Sequence, residues 1–177
     1  MLSEEQIKAQ DEYREFIKSS APCSKSDVAK RVLAFMDQGN QPVLPFPGDP
    51  GADVRRLGAS LILEEARETI EALGFKIGFN DAGKLDLINL ADSQFSLKES
   101  TDGCIDTQYV CHWMLLAMGV SDFLPTLEVC DANDRKFGPG AHKDENGKVR
   151  KPPGWRGPDI EGALAAQMPR FEGDEDL

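Results

Sequence analysis

Along the chain the recurrence of apolar residues shifts from every three or four positions to every second position and back, and each shift marks an element. Behind Ser3, a fitting N-cap, Ile7, Phe16 and Ile17 recur near helical spacing and predict a helix over 3–19. Val28, Val32 and Met36 predict another over about 27–38, capped by Ser24 or Ser26 and stopped by Gly39. The prolines and glycines of GNQPVLPFPGDPG, 39–51, cannot sustain a helix and predict a loop. The strongest helical pattern covers 52–73, with Gly74 as its stop. Apolar residues then alternate around Asn80-Asp81-Ala82-Gly83, which predicts a small hairpin or irregular excursion. Helical spacing returns over 97–118, ending at Gly119, and over 121–136, with Ser121 as N-cap and Pro125 in the first turn. After Phe137 the chain becomes rich in Gly, Pro and Lys/Arg, an arm running to about residue 160, and it closes on an acidic tail, 161–177.

Two of these helices carry acids where apolar residues belong. On a helical wheel Glu65 shares the sector of Leu61, Ile62, Ala72 and Leu73; Glu68 borders it and Glu64 lies one step further out. In the later helix Glu99, Asp102 and Asp106 extend the stripe formed by Val110, Trp113 and Ala117. If the two helices pack antiparallel through these stripes, five or six carboxylates converge. Like charges at close range raise one another's pKa, so such a cluster calls for cations. An oxygen-only donor set suits Mg²⁺ or Mn²⁺ rather than zinc. Plainer readings exist for each residue. The glutamates of 64–68 suit a solvated helix face, and Asp106 suits a buried, hydrogen-bonded carboxylate. Ser96-Leu97-Lys98-Glu99 also matches a capping box, in which Glu99 would serve only the helix start.

The formal charge of −11 argues against a nucleic-acid backbone or anionic lipid as main partner, unless basic residues cluster. Free nucleotides remain open if metal ions bridge the repulsion. Cys23, Cys104, Cys111 and Cys130 include no CxxC pair, which predicts reduced thiols. No stretch is apolar enough to span a bilayer, and MLSEEQIKAQ lacks the layout of a secretory signal, so the cytoplasm is the expected compartment.

The residues Glu64-Glu65-Ala66-Arg67-Glu68 and Glu99-Ser100-Thr101-Asp102 match EExxE followed by ExxD; DGCIDTQYV, 102–110, extends the second motif. EVCDANDRK, 128–136, matches EVxxxNxxK, and GKVRKPPGWRGPDI, 147–160, matches GKxxKPxxWxxPDI. In this ordered set the chain resembles the MazG-like, phosphoribosyl-ATP-pyrophosphohydrolase-like nucleoside triphosphate pyrophosphohydrolases, including phage and bacterial dUTPase-like members. Ser100-Thr101 departs from the small or hydrophobic residues usual there. The resemblance implies an all-α fold, an antiparallel four-helix-type bundle with a hairpin excursion and a C-terminal arm. The chain's length predicts one domain, set at 1–160 with its core at 52–136, and the resemblance, which covers about 55–160, implies association as a homodimer or homotetramer. The resemblance also implies two or three Mg²⁺ or Mn²⁺ ions held by Glu65, Glu68, Glu99 and Asp102, with Glu64 a further ligand or the group that activates water.

The implied reaction is attack of water on the α-phosphorus of a (d)NTP, releasing (d)NMP and pyrophosphate; the base stays open. Metals would neutralise the triphosphate, activate the water and stabilise the leaving group. Asp106, Asn133, Lys136, Lys151 and Arg156 are the expected substrate contacts, with Arg150 nearby, and Trp155 is the expected stacking platform. Trp113 and Tyr109 fit core packing better than stacking, and neither His112 nor His142 suits a metal site. The competing expectation is a non-enzymatic helical assembly protein with structural divalent ions. A di-iron bundle needs ExxH, and no His stands three after these acids.

Overall fold

The computed structural model describes residues 28–90 and 95–169. The expected helix at 3–19, the caps Ser24 and Ser26, Cys23 and the end of the acidic tail lie outside these residues. The described chain forms two compact units, one of residues 28–44 and 49–118, the other of 45–48 and 119–169.

The first unit is built on three helices and a hairpin. Helix α1 (Val28–Gln38) buries Ala29, Val32, Leu33 and Met36, the three-four spacing of one helix face. Helix α2 (Ala52–Ala72) ends where Gly74 takes φ 94°, a conformation costly for any residue with a Cβ. Strands β1 (Phe75–Phe79) and β2 (Leu85–Asn89) follow, paired antiparallel with Ile77 opposite Leu87 and Phe79 opposite Leu85. Asn80 closes their turn, its side-chain oxygen accepting from the amides of Ala82 and Lys84 at 3.1 and 3.0 Å. Helix α3 (Leu97–Ala117) starts at Ser96, whose hydroxyl accepts from the Glu99 amide at 3.3 Å.

Both α1 and α2 pack on α3. The core lies between α1 and α3, where Val32, Leu33, Met36, Val43, Val110, Trp113, Leu116 and Ala117 are buried. The Trp113 indole, 3% exposed, donates to Gln41 Oε1 at 2.6 Å, so this large core residue leaves no stranded donor. Tyr109 packs edge-on against Phe35, and partial burial raises its phenol pKa. By contrast α2 buries only Gly58, and its Leu57 and Leu63 are exposed, as are Phe79, Leu85 and Leu87 of the hairpin.

The second unit holds helix α4 (Phe123–Asp134), which tightens into a 3₁₀ turn at Arg135–Phe137, and the short helix α5 (Ile160–Ala165). Pro125 sits at the third helical position, where its missing N–H costs nothing. Ser121 is not the cap: helix α4 starts after Asp122, and the Ser121 amide instead donates to Gln167 Oε1 at 2.7 Å. Strands β3 (His142–Lys143) and β4 (Val149–Arg150) pair antiparallel within the arm. Asp144 closes their turn by accepting the Asn146 and Lys148 amides, bonds that hold its carboxyl below the usual range with help from Arg150.

The expected all-α bundle is therefore corrected. Five α-helices and two antiparallel two-stranded sheets among the described residues make the chain mixed α and β. The alternating run 75–89 satisfies its backbone across a five-residue ladder, and the arm folds on its own Asp-Glu-Asn-Gly turn. The described cysteines, Cys104, Cys111 and Cys130, are free thiols. Among the described residues no helix is long and apolar enough to cross a membrane.

Candidate functional site

The acid-bearing helices α2 and α3 cross antiparallel, and two glycines record how. Gly58 faces Trp113 and Met114, while Gly103 faces Thr69: a rising position on one helix meets a falling position on the other. A Cβ on Gly103 would lie 3.0 Å from Thr69 Cα, so the backbones approach closely there. Thr69 donates its hydroxyl to the Glu65 carbonyl at 2.7 Å, and Thr107 supplies its own proton across the crossing at 3.2 Å. Counting back one turn from Thr69 along this register sets Glu65 level with Asp106.

Electrostatics agrees with that register. Partial burial raises the Glu65 pKa most, and the charges of Asp106, Glu68, Glu64 and Asp102 raise it further, in that order. Four carboxylates from two helices thus act on one half-buried carboxyl. Glu64, Glu68, Asp102 and Asp106 are all exposed. Arg67 sits beside the group, pairing with Glu68 at 3.4 Å and with Glu71 at 3.0 Å.

Glu99 stands apart, absent from the carboxylates that act on Glu65. Its carboxylate takes the Lys98 ammonium at 2.8 Å and raises the Lys98 pKa, and Asp102 adds to that effect from a distance. The capping-box expectation holds by half: the Ser96 hydroxyl bonds the Glu99 amide, but the Ser96 amide reaches Ala72 O at 3.4 Å. Ser100 is buried and its hydroxyl has no hydrogen-bond partner among the described residues, and Thr101 donates to Leu97 O at 2.7 Å.

An oxygen-only donor set is the chemistry that a hard divalent cation would take. This set is all oxygen and rich in negative charge around Glu65, and its outer members are exposed, with Glu68 paired to Arg67. Among the described residues no three such side chains stand close enough together to hold a metal ion.

The other expected contacts gather in the second unit. Lys136 donates to Asn133 Oδ1 at 2.7 Å, and the ammonium groups of Lys136 and Lys151 lie 5.9 and 4.2 Å from the Trp155 ring centroid. Trp155 is half-buried and its indole N–H donates to Ala132 O at 2.7 Å; Arg156 is exposed.

Sequence reasoning missed Thr69, Gly103 and Thr107, whose only signal is that small residues occupy stripe positions between the acids. It also missed Arg67 as the partner of Glu68 and Glu71. No family model and no curated protein matches the chain.

Proposed function

We propose that the chain is a metal-dependent nucleoside triphosphate pyrophosphohydrolase that converts a (d)NTP to (d)NMP and pyrophosphate. The observation that supports it most is the meeting of Glu64, Glu65 and Glu68 of α2 with Asp102 and Asp106 of α3 around one carboxyl. Acids drawn together in this way favour a counter-charge, and an oxygen-rich cluster suits Mg²⁺ or Mn²⁺. Glu65, Glu68 and Asp102 are the proposed ligands. Asp106 joins them, because its charge acts on Glu65 more than that of any other acid. Glu99, also expected as a ligand, would have to leave Lys98 to take part.

When bound, the ions supply charge neutralisation for the phosphates and a water of lowered pKa. Glu64, exposed beside the cluster, accepts the proton of the attacking water. The water oxygen bonds to the α-phosphorus as the bond to the bridging oxygen breaks, and pyrophosphate leaves with the electron pair. Lys136, Lys151 and Arg156 carry charge suited to phosphate oxygens. A second copy is the proposed cover for Leu57 and Leu63 of α2, which makes the working form a homodimer or a larger homo-oligomer.

The test is incubation with a panel of NTPs and dNTPs in Mg²⁺, with products separated. Monophosphate and pyrophosphate from at least one member, abolished by Glu65→Gln and by Asp102→Asn with helical content kept, is the expected result. No pyrophosphate from any member favours an assembly protein with structural ions. Near-normal turnover in both variants removes the assigned metal site.

A further inference from the structure

The hairpin of β1 and β2 is a ribbon with an uncovered apolar face. Phe75, Ile77 and Phe79 lie opposite Asn89, Leu87 and Leu85, so their side chains share one face. That face is apolar but for Asn89, with Phe79 71%, Leu85 70% and Leu87 54% exposed. A two-stranded ribbon gains little stability by itself, and an apolar one with a free edge invites a further strand.

The ladder decides which backbone groups point outward. The amides of Leu90 and Asn80 donate to Gly74 O and Lys84 O at 3.0 and 2.9 Å, which makes 74 with 90 and 80 with 84 hydrogen-bonded pairs. Bonded pairs alternate in an antiparallel ladder, so Lys76 and Gly78 bond inward to β2, while Phe75, Ile77 and Phe79 turn N–H and C=O groups to the free edge. Among the described residues nothing bonds those outward amides. The edge of β2 is blunted, because at its centre the Leu87 amide donates to the Asp86 carboxylate at 2.8 Å. The edge ready for pairing is that of β1.

Its sequence fits a second copy of itself. With Ile77 on a two-fold axis, an antiparallel β1 from a second copy sets Phe75 opposite Phe79 and Ile77 opposite Ile77, apolar pairs throughout. On the reverse face Lys76 meets Gly78 of the second copy, so no like charges face each other. Next in that row stands Asp86 of the second copy, the ladder partner of its Gly78, which makes the charges complementary. Ile88 folds over Gly78, its Cδ1 filling the place of a Cβ, and gives the Lys76 stem an apolar bed on the way to Asp86. The same arrangement across β2 would set Leu85 opposite Asn89 and Asp86 opposite Ile88, mismatched on both faces.

We propose that two copies pair β1 to β1 antiparallel about Ile77, joining two ribbons into one four-stranded sheet in which Lys76 of each copy reaches Asp86 of the other. The pairing does not rest on the hydrolase reading, and it uses a surface apart from Leu57 and Leu63. Leu63, the nearer of these, lies about 15 Å along α2 from Leu73 at the hairpin end.

The test is sedimentation velocity of the full chain over a concentration series, with disulfide trapping to read the register. Ile77→Pro removes the central outward N–H without touching a ladder bond, and Ile77→Lys sets two like charges on the axis. Each raises the dissociation constant of the pair at least roughly tenfold, while far-ultraviolet circular dichroism stays that of the wild type. Under mild oxidation Ile77→Cys gives a crosslinked dimer above the background from the wild type's own cysteines. Phe75→Cys and Phe79→Cys crosslink when mixed, and neither does so alone. A wild-type chain that stays monomeric, or a mixture that crosslinks no better than its components, overturns the pairing. Assembly unchanged by both Ile77 variants also overturns it; if Leu63→Lys then disperses that assembly, the cover of α2 stands and the β1 pairing falls. Should Ile77→Pro fail to fold, Ile77→Lys and the crosslinks still decide.

Discussion

Replacing Gly103 by Ala forces α2 and α3 apart at the point that sets their register, whereas the same change at Gly58 does not. A methyl group at 103 would stand 2.6 Å from Thr69 Oγ1 and 3.0 Å from Thr69 Cα. Neither can move cheaply, since one is backbone and the other is bonded to Glu65 O and Thr107. Overpacking of this kind costs about 1–3 kcal/mol, and the rigid obstacle argues for the upper end. Ala gains about 1 kcal/mol over Gly in a helix, which leaves a net loss of about 2 kcal/mol. At Gly58 the methyl would meet Met114 Sδ at 2.2 Å, but a thioether can swing aside. The cost there is about 1 kcal/mol, offset by the same helix gain, for a net change near zero. Urea unfolding followed by far-ultraviolet circular dichroism reads the difference; with a slope of about 2 kcal/mol per M, Gly103→Ala lowers the midpoint by about 1 M. The Mg²⁺ affinity of Gly103→Ala also falls, because Asp102 and Asp106 move away from Glu65. A Gly103→Ala chain that unfolds with the wild type, while Gly58→Ala unfolds earlier, refutes the assigned crossing.

Three further outcomes follow from the same geometry. Gln41→Leu strands the buried Trp113 N–H and lowers stability by about 1–3 kcal/mol in the same urea assay; an unchanged midpoint contradicts the role of that bond. In EDTA, the Glu65 carboxyl, raised above 4.5 by partial burial and then by Asp106, Glu68, Glu64 and Asp102, holds its proton more tightly folded than unfolded. Its contribution therefore lowers stability as pH rises from 4.5 through the raised folded value and is constant above it, modestly because the site is solvent-screened. Glu65→Gln removes that slope, and an identical pH profile in the variant contradicts the cluster. Adding Mg²⁺ to about 100 times its Kd raises stability by about 2.7 kcal/mol in the wild type and by less in Asp102→Asn; an equal rise in both places the ion elsewhere.

The local elements were readable because their signals are local. Val32 and Met36 at helical spacing, Gly39, Gly74 and Gly119 as stops, and Asn80 to Gly83 as a turn depend only on neighbouring residues. The shared sector of Glu65, Asp102 and Asp106 was readable for the same reason, since each wheel needs one helix alone. What the wheel cannot give is how deeply two helices approach. That depth is set by Gly103 against Thr69, a pairing of residues 34 positions apart with no local signature. The fold class failed on an analogous point. The alternation in 75–89 predicts the hairpin, but the all-α class follows the resemblance, and the pairing at 142–150, whose Asp-Glu-Asn-Gly turn is a local signal, lies in a stretch whose Gly and Pro predict only an extended arm. An aromatic residue in a Gly- and Pro-rich arm predicts a stacking platform at Trp155. Only the position of Lys151 over its ring shows that a cation already occupies it.

Anomalous diffraction from crystals grown with Mn²⁺ tests the central claim most directly, because the metal is located without reference to activity. The account predicts manganese peaks between α2 and α3, within coordination distance of Glu65 and Asp102, with Glu68 and Asp106 turned toward them. Peaks elsewhere, or none between these helices at saturating Mn²⁺, contradict it.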